Sequence, residues 1–213
     1  MIRIKICGLR CLEDAEAVNQ ADINDAGFVF AESPRKIDGK QAEYLRRCLR
    51  PDIDAVGVFV NEVPEEIIRL VQEEIIQKVQ LHGSEDEKYI RYLKSRIACP
   101  VLKAVRVKNR AAVFKAQETS ADLLLMDTYV KGIPGGSGLV FDLNQLPELT
   151  RPWYMAGGLT PENIQFRLSK KIPYGVDVSS GVETNGCKDL NKIKKFAEEV
   201  RSFERRIGKG ELR

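Results

Sequence analysis

Gly175-Val176-Asp177-Val178-Ser179-Ser180-Gly181-Val182-Glu183 decides how the chain is read. An apolar, β-rich run over 173–178 stops in Ser-Ser-Gly, and a polar helical pattern follows. A buried strand that opens into small residues at a turn exposes backbone N–H groups at its exit. Such groups, aimed from a helix start, bind anions well. A second instance lies upstream: Trp153-Tyr154-Met155-Ala156 ends in Gly157-Gly158, and Thr160-Pro161-Glu162 opens a helix. Two successive exits built from Gly and Ser suggest one shared phosphate pocket. The other reading is a pair of ordinary tight turns, which use the same residue types.

Working outward, the pattern repeats. Short apolar runs at 2–7, 26–31, 55–60, 78–81, 101–105, 123–126, 153–156 and 174–178 read as strands. Amphipathic helical patterns follow at 10–21, 38–49, from Pro64 onward, from Ser84-Glu85-Asp86-Glu87 to about 97, 109–118, 161–169 and 188–205. A short helical piece is expected after Phe141-Asp142, and a frayed tail over 208–213. Continuous rather than alternating apolar strands mark a sheet buried on both faces. Eight such units in 213 residues predict an α/β chain folded as a single-domain (β/α)8 TIM barrel over 1–213. An open doubly wound sheet is the competing architecture.

Composition narrows the function. The net charge is +3, from 34 basic and 31 acidic residues that are interspersed, so no nucleic-acid footprint is expected. No apolar run is long enough to span a bilayer. Met1-Ile2-Arg3-Ile4-Lys5-Ile6 alternates apolar and charged residues, and the five cysteines are an odd number without a Cys-x-x-Cys pair. Reduced thiols in a cytoplasmic protein are the expectation. His82 is the only histidine, which excludes sites needing two histidine ligands. No metal and no cofactor is expected, and the chain is read as a monomer or homodimer.

In a barrel of this kind the site lies at the C-terminal strand ends, with phosphate commonly bound after the seventh and eighth strands. The expected phosphate-binding residues are therefore Gly157, Gly158, Ser179, Ser180 and Gly181. Gly135-Gly136-Ser137-Gly138, in the long loop after the sixth strand, is a third contributor or a lid. Cys7 ends the first strand, beside the eighth once the barrel closes, where a thiolate can serve as base or nucleophile. Cys11, Cys48 and Cys99 read as structural, Cys11 within the first helix, and Cys187 has no assigned role. Asp127 follows Leu123-Leu124-Leu125-Met126 at a barrel mouth, where partial desolvation favours a general acid. Asp177 lies within a strand, facing the barrel or the helix layer, and is expected to orient substrate or neighbouring loops. Arg35 in Ser33-Pro34-Arg35 has two readings, a carboxylate clamp or an exposed surface arginine. His82 has two as well, a substrate contact or a turn histidine beside Gly83.

Taken in order, these motifs resemble the phosphoribosylanthranilate isomerase family. The resemblance runs nearly end to end. It is carried by Lys5-Ile6-Cys7-Gly8, Gly27-Phe28-Val29-Phe30, Ser33-Pro34-Arg35, Val56-Gly57-Val58-Phe59-Val60-Asn61 and Val79-Gln80-Leu81-His82-Gly83. Asp127-Thr128, Gly135-Gly136-Ser137-Gly138, Phe141-Asp142, Ala156-Gly157-Gly158-Leu159 and Asp177-Val178-Ser179-Ser180-Gly181-Val182-Glu183 complete it. The resemblance implies an Amadori rearrangement of N-(5-phosphoribosyl)anthranilate in tryptophan biosynthesis. It implies Cys7 as general base, Asp127 as general acid, Arg35 on the anthranilate carboxylate, and the Gly-Gly and Ser-Ser-Gly turns on the phosphate. Leu143 departs from the aromatic residue that commonly follows Phe-Asp in the family. The alternatives are the related phosphosugar isomerase of histidine biosynthesis, usually drawn with an aspartate where Cys7 stands, and a non-catalytic barrel that binds a phosphorylated metabolite.

Overall fold

The computed structural model describes residues 1–107, 110–127 and 146–210. Eight parallel strands close into a barrel in sequence order: β1 (Arg3–Cys7), β2 (Asp25–Val29), β3 (Asp54–Phe59), β4 (Lys78–Leu81), β5 (Val101–Arg106), β6 (Leu123–Asp127), β7 (Trp153–Ala156) and β8 (Gly175–Val178). Closure comes from β1 against β8, which pairs Lys5 with Asp177 and Ile6 with Val178. The expected barrel is therefore present, and the open sheet is not. Helices α1 (Leu12–Asn19), α2 (Gly39–Cys48), α3 (Pro64–Gln72), α4 (Glu87–Lys94) and α5 (Arg110–Ala116) follow the first five strands, and α6 (Ile164–Lys170) follows β7. The helical piece expected after Phe141-Asp142, the Gly135–Gly138 stretch and Leu143 lie outside the described residues. Among those residues, no helix is long and apolar enough to cross a membrane.

Local chemistry sets most helix starts. Asp38 caps α2 by accepting from the Gln41 amide, and Asp86 caps α4 by accepting from the Tyr89 amide. Pro64 opens α3, where its missing N–H costs nothing. Glu85, expected at the start of the helical pattern, is instead a buried staple ahead of it. Its carboxylate accepts from the amides of Asn61 and Gly83 and pairs with Lys103 at 2.7 Å, tying the exits of β3 and β4 to β5.

The last segment differs most from expectation. Beyond β8 the chain makes a 3-10 turn (Ser180–Val182) and then a small hairpin of β9 (Glu183–Thr184) and β10 (Cys187–Lys188). Only then does α7 begin, running Leu190–Gly208 behind an Asp189 cap. The helix expected at 188 thus starts later, because Lys188 is paired in the hairpin. It also runs past the expected end, so Gly208 is helical rather than frayed. Cys11 is a further correction. It sits at the N-cap of α1, exposed and outside the core, while Cys48 and Cys99 pack against the core as expected.

Two layers of packing hold the barrel. Ile4 and Ile6 of β1 join Phe28, Leu81, Val101, Leu124 and Met126 in the large core under the helices. Residues alternating with these face inward, since side chains along a strand point to opposite faces. At the lower end Asp25 is fully buried, held by Arg3 Nη2 at 2.9 Å, by Lys78, and by the hydroxyl of Tyr154 at 2.8 Å from across the barrel. Above it lie Lys5, buried and paired with Asp177 at 3.0 Å, and Gln80. The interior is therefore filled by side chains up to the level of Cys7.

Candidate active site

The inward register of β1 places Arg3, Lys5 and Cys7 in successive layers, so Cys7 is the last inward residue before the strand exit. Two glycines make room for it. Gly8 leaves the strand with φ +87°, and a Cβ on Gly27 of β2 would lie 2.8 Å from the Cys7 sulfur. Gly27 also accepts the amides of Gly8 and Leu9, which ends β1 sharply and leaves Cys7 partly buried at the mouth.

The mouth holds one cavity of about 450 Å3. Cys7, Arg35, Gln80, His82, Asp127 and Asp177 line it, with Gly157, Gly158, Ser179, Ser180 and Gly181 on the β7–β8 side. Among the described residues, those expected from sequence to act are therefore found around a single space. The two small-residue turns meet directly: a Cβ on Gly181 would lie 1.8 Å from the carbonyl oxygen of Leu159, just beyond Gly157-Gly158. Neither the Gly158 nor the Gly181 amide donates to a partner among the described residues. Asn163 locks the first turn, donating to the Gly158 carbonyl and accepting from the Thr160 amide. The Ser179 hydroxyl donates to the Cys7 carbonyl at 2.9 Å, tying the second turn to the strand that carries the thiol.

Electrostatics around Cys7 oppose one another. Burial pushes the thiol up from its ordinary value, Lys5 pulls it down, Asp177 pushes it up and Lys188 pulls it down; burial prevails. Burial works equally against the Lys5 ammonium, but Asp177 and Cys7 outweigh it and hold Lys5 charged. Asp177 thus faces the barrel, and its carboxylate is engaged with Lys5 beneath the thiol.

Across the mouth, Asp127 ends β6 with its side chain 22% exposed. His82 Nε2 lies 3.8 Å from Asp127 Oδ2, and His82 Nδ1 is 2.9 Å from the Gln80 amide nitrogen. If that amide donates, the ring proton sits on Nε2 and faces the carboxylate. His82 therefore has a defined place beside the acidic group rather than only in a turn. Arg35 fits neither sequence reading in its simple form. Its guanidinium makes a two-pronged pair with Glu183, at 2.8 Å from both Nε and Nη2, while the residue still lines the cavity. Glu183 and Lys188 escaped the sequence reading as functional residues. A signal was present in Asn185-Gly186, a two-residue hairpin turn with both residues at positive φ, which sets Glu183 opposite Lys188.

Residues 4–199 match the family model described as N-(5'phosphoribosyl)anthranilate (PRA) isomerase. A relative named N-(5'-phosphoribosyl)anthranilate isomerase, from Endomicrobium trichonymphae, is 50% identical over 203 residues, covering 95% of this chain and all of that one. Among solved structures, phosphoribosyl anthranilate isomerase from Thermotoga maritima superposes with a TM-score of 0.84 at 37% identity, covering 95% of this chain and all of that one. A crystal structure of a phosphoribosyl anthranilate isomerase in complex with reduced 1-(o-carboxyphenylamino)-1-deoxyribulose 5-phosphate superposes with a TM-score of 0.78 at 35% identity, covering 95% of this chain and all of that one.

Proposed function

The chain belongs to the N-(5'-phosphoribosyl)anthranilate isomerase family, and from that membership we propose how its barrel performs the isomerisation. The reaction converts N-(5-phosphoribosyl)anthranilate to 1-(2-carboxyphenylamino)-1-deoxyribulose 5-phosphate in tryptophan biosynthesis. The turns at Gly157-Gly158 and Ser179-Ser180-Gly181 hold the phosphate through backbone amides. The anthranilate carboxylate meets Arg35. Asp127 protonates the furanose ring oxygen, the ring C1–O bond breaks, and the nitrogen lone pair closes a Schiff base at C1. Cys7, as thiolate, removes the proton from C2. The C2–H electron pair forms the enolamine, which tautomerises to the ketone. The carbonyl oxidation level shifts internally from C1 to C2, C1 being reduced as C2 is oxidised, so no external oxidant or reductant takes part.

One observation supports these roles above the others. A sulfur and a carboxyl group from strands three apart around the ring face one cavity, which two touching Gly/Ser turns also line. Separate acid and base are what this rearrangement needs, because the ring oxygen and the C2 hydrogen leave from different atoms. His82 stabilises the Asp127 carboxylate once the proton has gone, and Asp177 holds Lys5 charged beneath the thiol. The test is Cys7→Ser, which fits the space over Gly27 but cannot supply a thiolate. Turnover, followed as loss of substrate fluorescence, should fall by about 10²–10⁴-fold, the usual worth of a positioned base. Turnover within about tenfold of the unsubstituted chain, with an unchanged melting temperature, would remove Cys7 from the role.

A further inference from the structure

The hairpin after β8 has no part in the chemistry above, yet it delivers two charged side chains to the back of the site. Glu183 and Lys188 are register partners across it, and their side chains are only 8% and 1% exposed. Glu183 accepts from Arg35 Nε and Nη2 and from Lys188 Nζ, the last at 2.7 Å. Lys188 Nζ also lies 3.2 Å from the Ser179 carbonyl oxygen. The Arg35 stem cannot swing freely, because it crosses Gly8 so closely that a Cβ there would lie 2.4 Å from Cδ. The hairpin is itself pinned. The Lys188 amide donates to Asp14, Arg10 spans the carbonyls of Pro34 and Gly186, and Lys192 donates to the Glu183 carbonyl.

Two cations on one nearly buried carboxylate are a poor device for stability alone, since desolvation offsets much of the attraction. The arrangement does serve geometry. With Nε and Nη2 committed to Glu183, the Arg35 edge left for substrate is the one bearing Nη1. Lys188 meanwhile fixes the carbonyl that precedes the phosphate-binding amides of Ser180 and Gly181. Burial works against the Glu183 carboxylate, but Arg35 and Lys188 outweigh it and bring it down to about 2, so this carboxylate stays charged; burial brings the Lys188 ammonium down from its ordinary value although Glu183 opposes it.

We propose that Glu183 and Lys188 are a positioning pair for the isomerisation, Glu183 aiming Arg35 at the substrate carboxylate and Lys188 holding the Ser179–Gly181 turn on the phosphate. The proposal rests on the isomerase reading of this site. It is tested by steady-state kinetics with N-(5-phosphoribosyl)anthranilate, and by inhibition with inorganic phosphate, on the full chain and on Glu183→Gln, Lys188→Met, Arg35→Ala and the double variant Arg35→Ala/Glu183→Gln. Glu183→Gln should raise KM by about tenfold or more, the scale of one charge-assisted hydrogen bond, with kcat within about threefold. In the double variant KM should match that of Arg35→Ala within about twofold, since Glu183 acts through Arg35. Lys188→Met should weaken phosphate inhibition by about fivefold or more, and it carries the test if Glu183→Gln does not fold. KM effects that multiply in the double variant, an unchanged KM in Glu183→Gln, or unchanged phosphate inhibition in Lys188→Met would each overturn the pair. No turnover by the unsubstituted chain would instead overturn the isomerase reading.

Discussion

Gly181→Ala isolates the contact between the two phosphate turns. The added Cβ would sit 1.8 Å from the Leu159 carbonyl oxygen and 2.9 Å from its carbon. Both are backbone atoms, so no side-chain rotation relieves the clash. Restoring ordinary contact needs about 1.5 Å of separation between the two turns, and a misplacement of about 1 Å in a binding frame costs roughly 10²-fold in kcat/KM. The fold pays less, because the turns lie at the mouth and can move outward. Overpacking of this kind costs about 1–3 kcal/mol, which for a chain of this size lowers the melting temperature by about 2–12 °C. The control is Gly158→Ala. Nothing lies within 4 Å of a Cβ there, so only the strain of φ +64° remains, about 1 kcal/mol. Steady-state kinetics, phosphate inhibition and a thermal melt on both variants decide the matter. If Gly181→Ala keeps kcat/KM within about threefold of the unsubstituted chain, the two turns do not form one phosphate site.

Two further predictions concern pH and the barrel floor. Because burial holds the Cys7 thiol above its ordinary value, the base is in its active form only at higher pH. Turnover should rise with pH with its midpoint above the ordinary thiol range, and a limb complete in the acid range would contradict the thiolate role. Asp25→Asn should cost about 3 kcal/mol in chemical denaturation, since it leaves Arg3 and Lys78 facing a neutral group at a fully buried position, with Asp54 as their remaining partner. Burial works against the Asp25 carboxylate, but Arg3 and Lys78 win and depress it. Its contribution is therefore present above the ordinary carboxylate range and lost as pH falls below about 4; stability of Asp25→Asn equal to the parent at pH 7 would refute the assignment.

The barrel was legible because its strands are short apolar runs and its helices carry local start signals. Pro64, Asp86 and the glycine exits act within a few residues of themselves, so reading them needs no knowledge of the fold. The hairpin of β9 and β10 was legible only in its turn, Asn185-Gly186, whose two residues both take positive φ. Its two-residue strands have no periodicity, so nothing local shows what they hold in place. What holds the hairpin comes from elsewhere in the chain: Asp14, Arg10 and Arg35 all lie more than 140 residues away in sequence.

The N-terminal strand shows the same divide within a single element. The alternation Arg3-Ile4-Lys5-Ile6-Cys7 is plain in the sequence. On an ordinary half-buried strand the charged face would meet water. In a closed barrel it is the isoleucines that meet the helices, and the charged face fills the interior. Burial of Arg3 and Lys5 is then tolerable only because β2 and β8 bring Asp25 and Asp177 to them. Those carboxylates are 22 and 172 residues away. Closure of the ring, which no local pattern encodes, turns the alternation into a column that ends in the thiol. Cys7 could be singled out from its strand-exit position, and Lys5 shares its strand face two residues earlier, but Lys188, the other ammonium that bears on its proton, becomes its neighbour only when β1 meets β8.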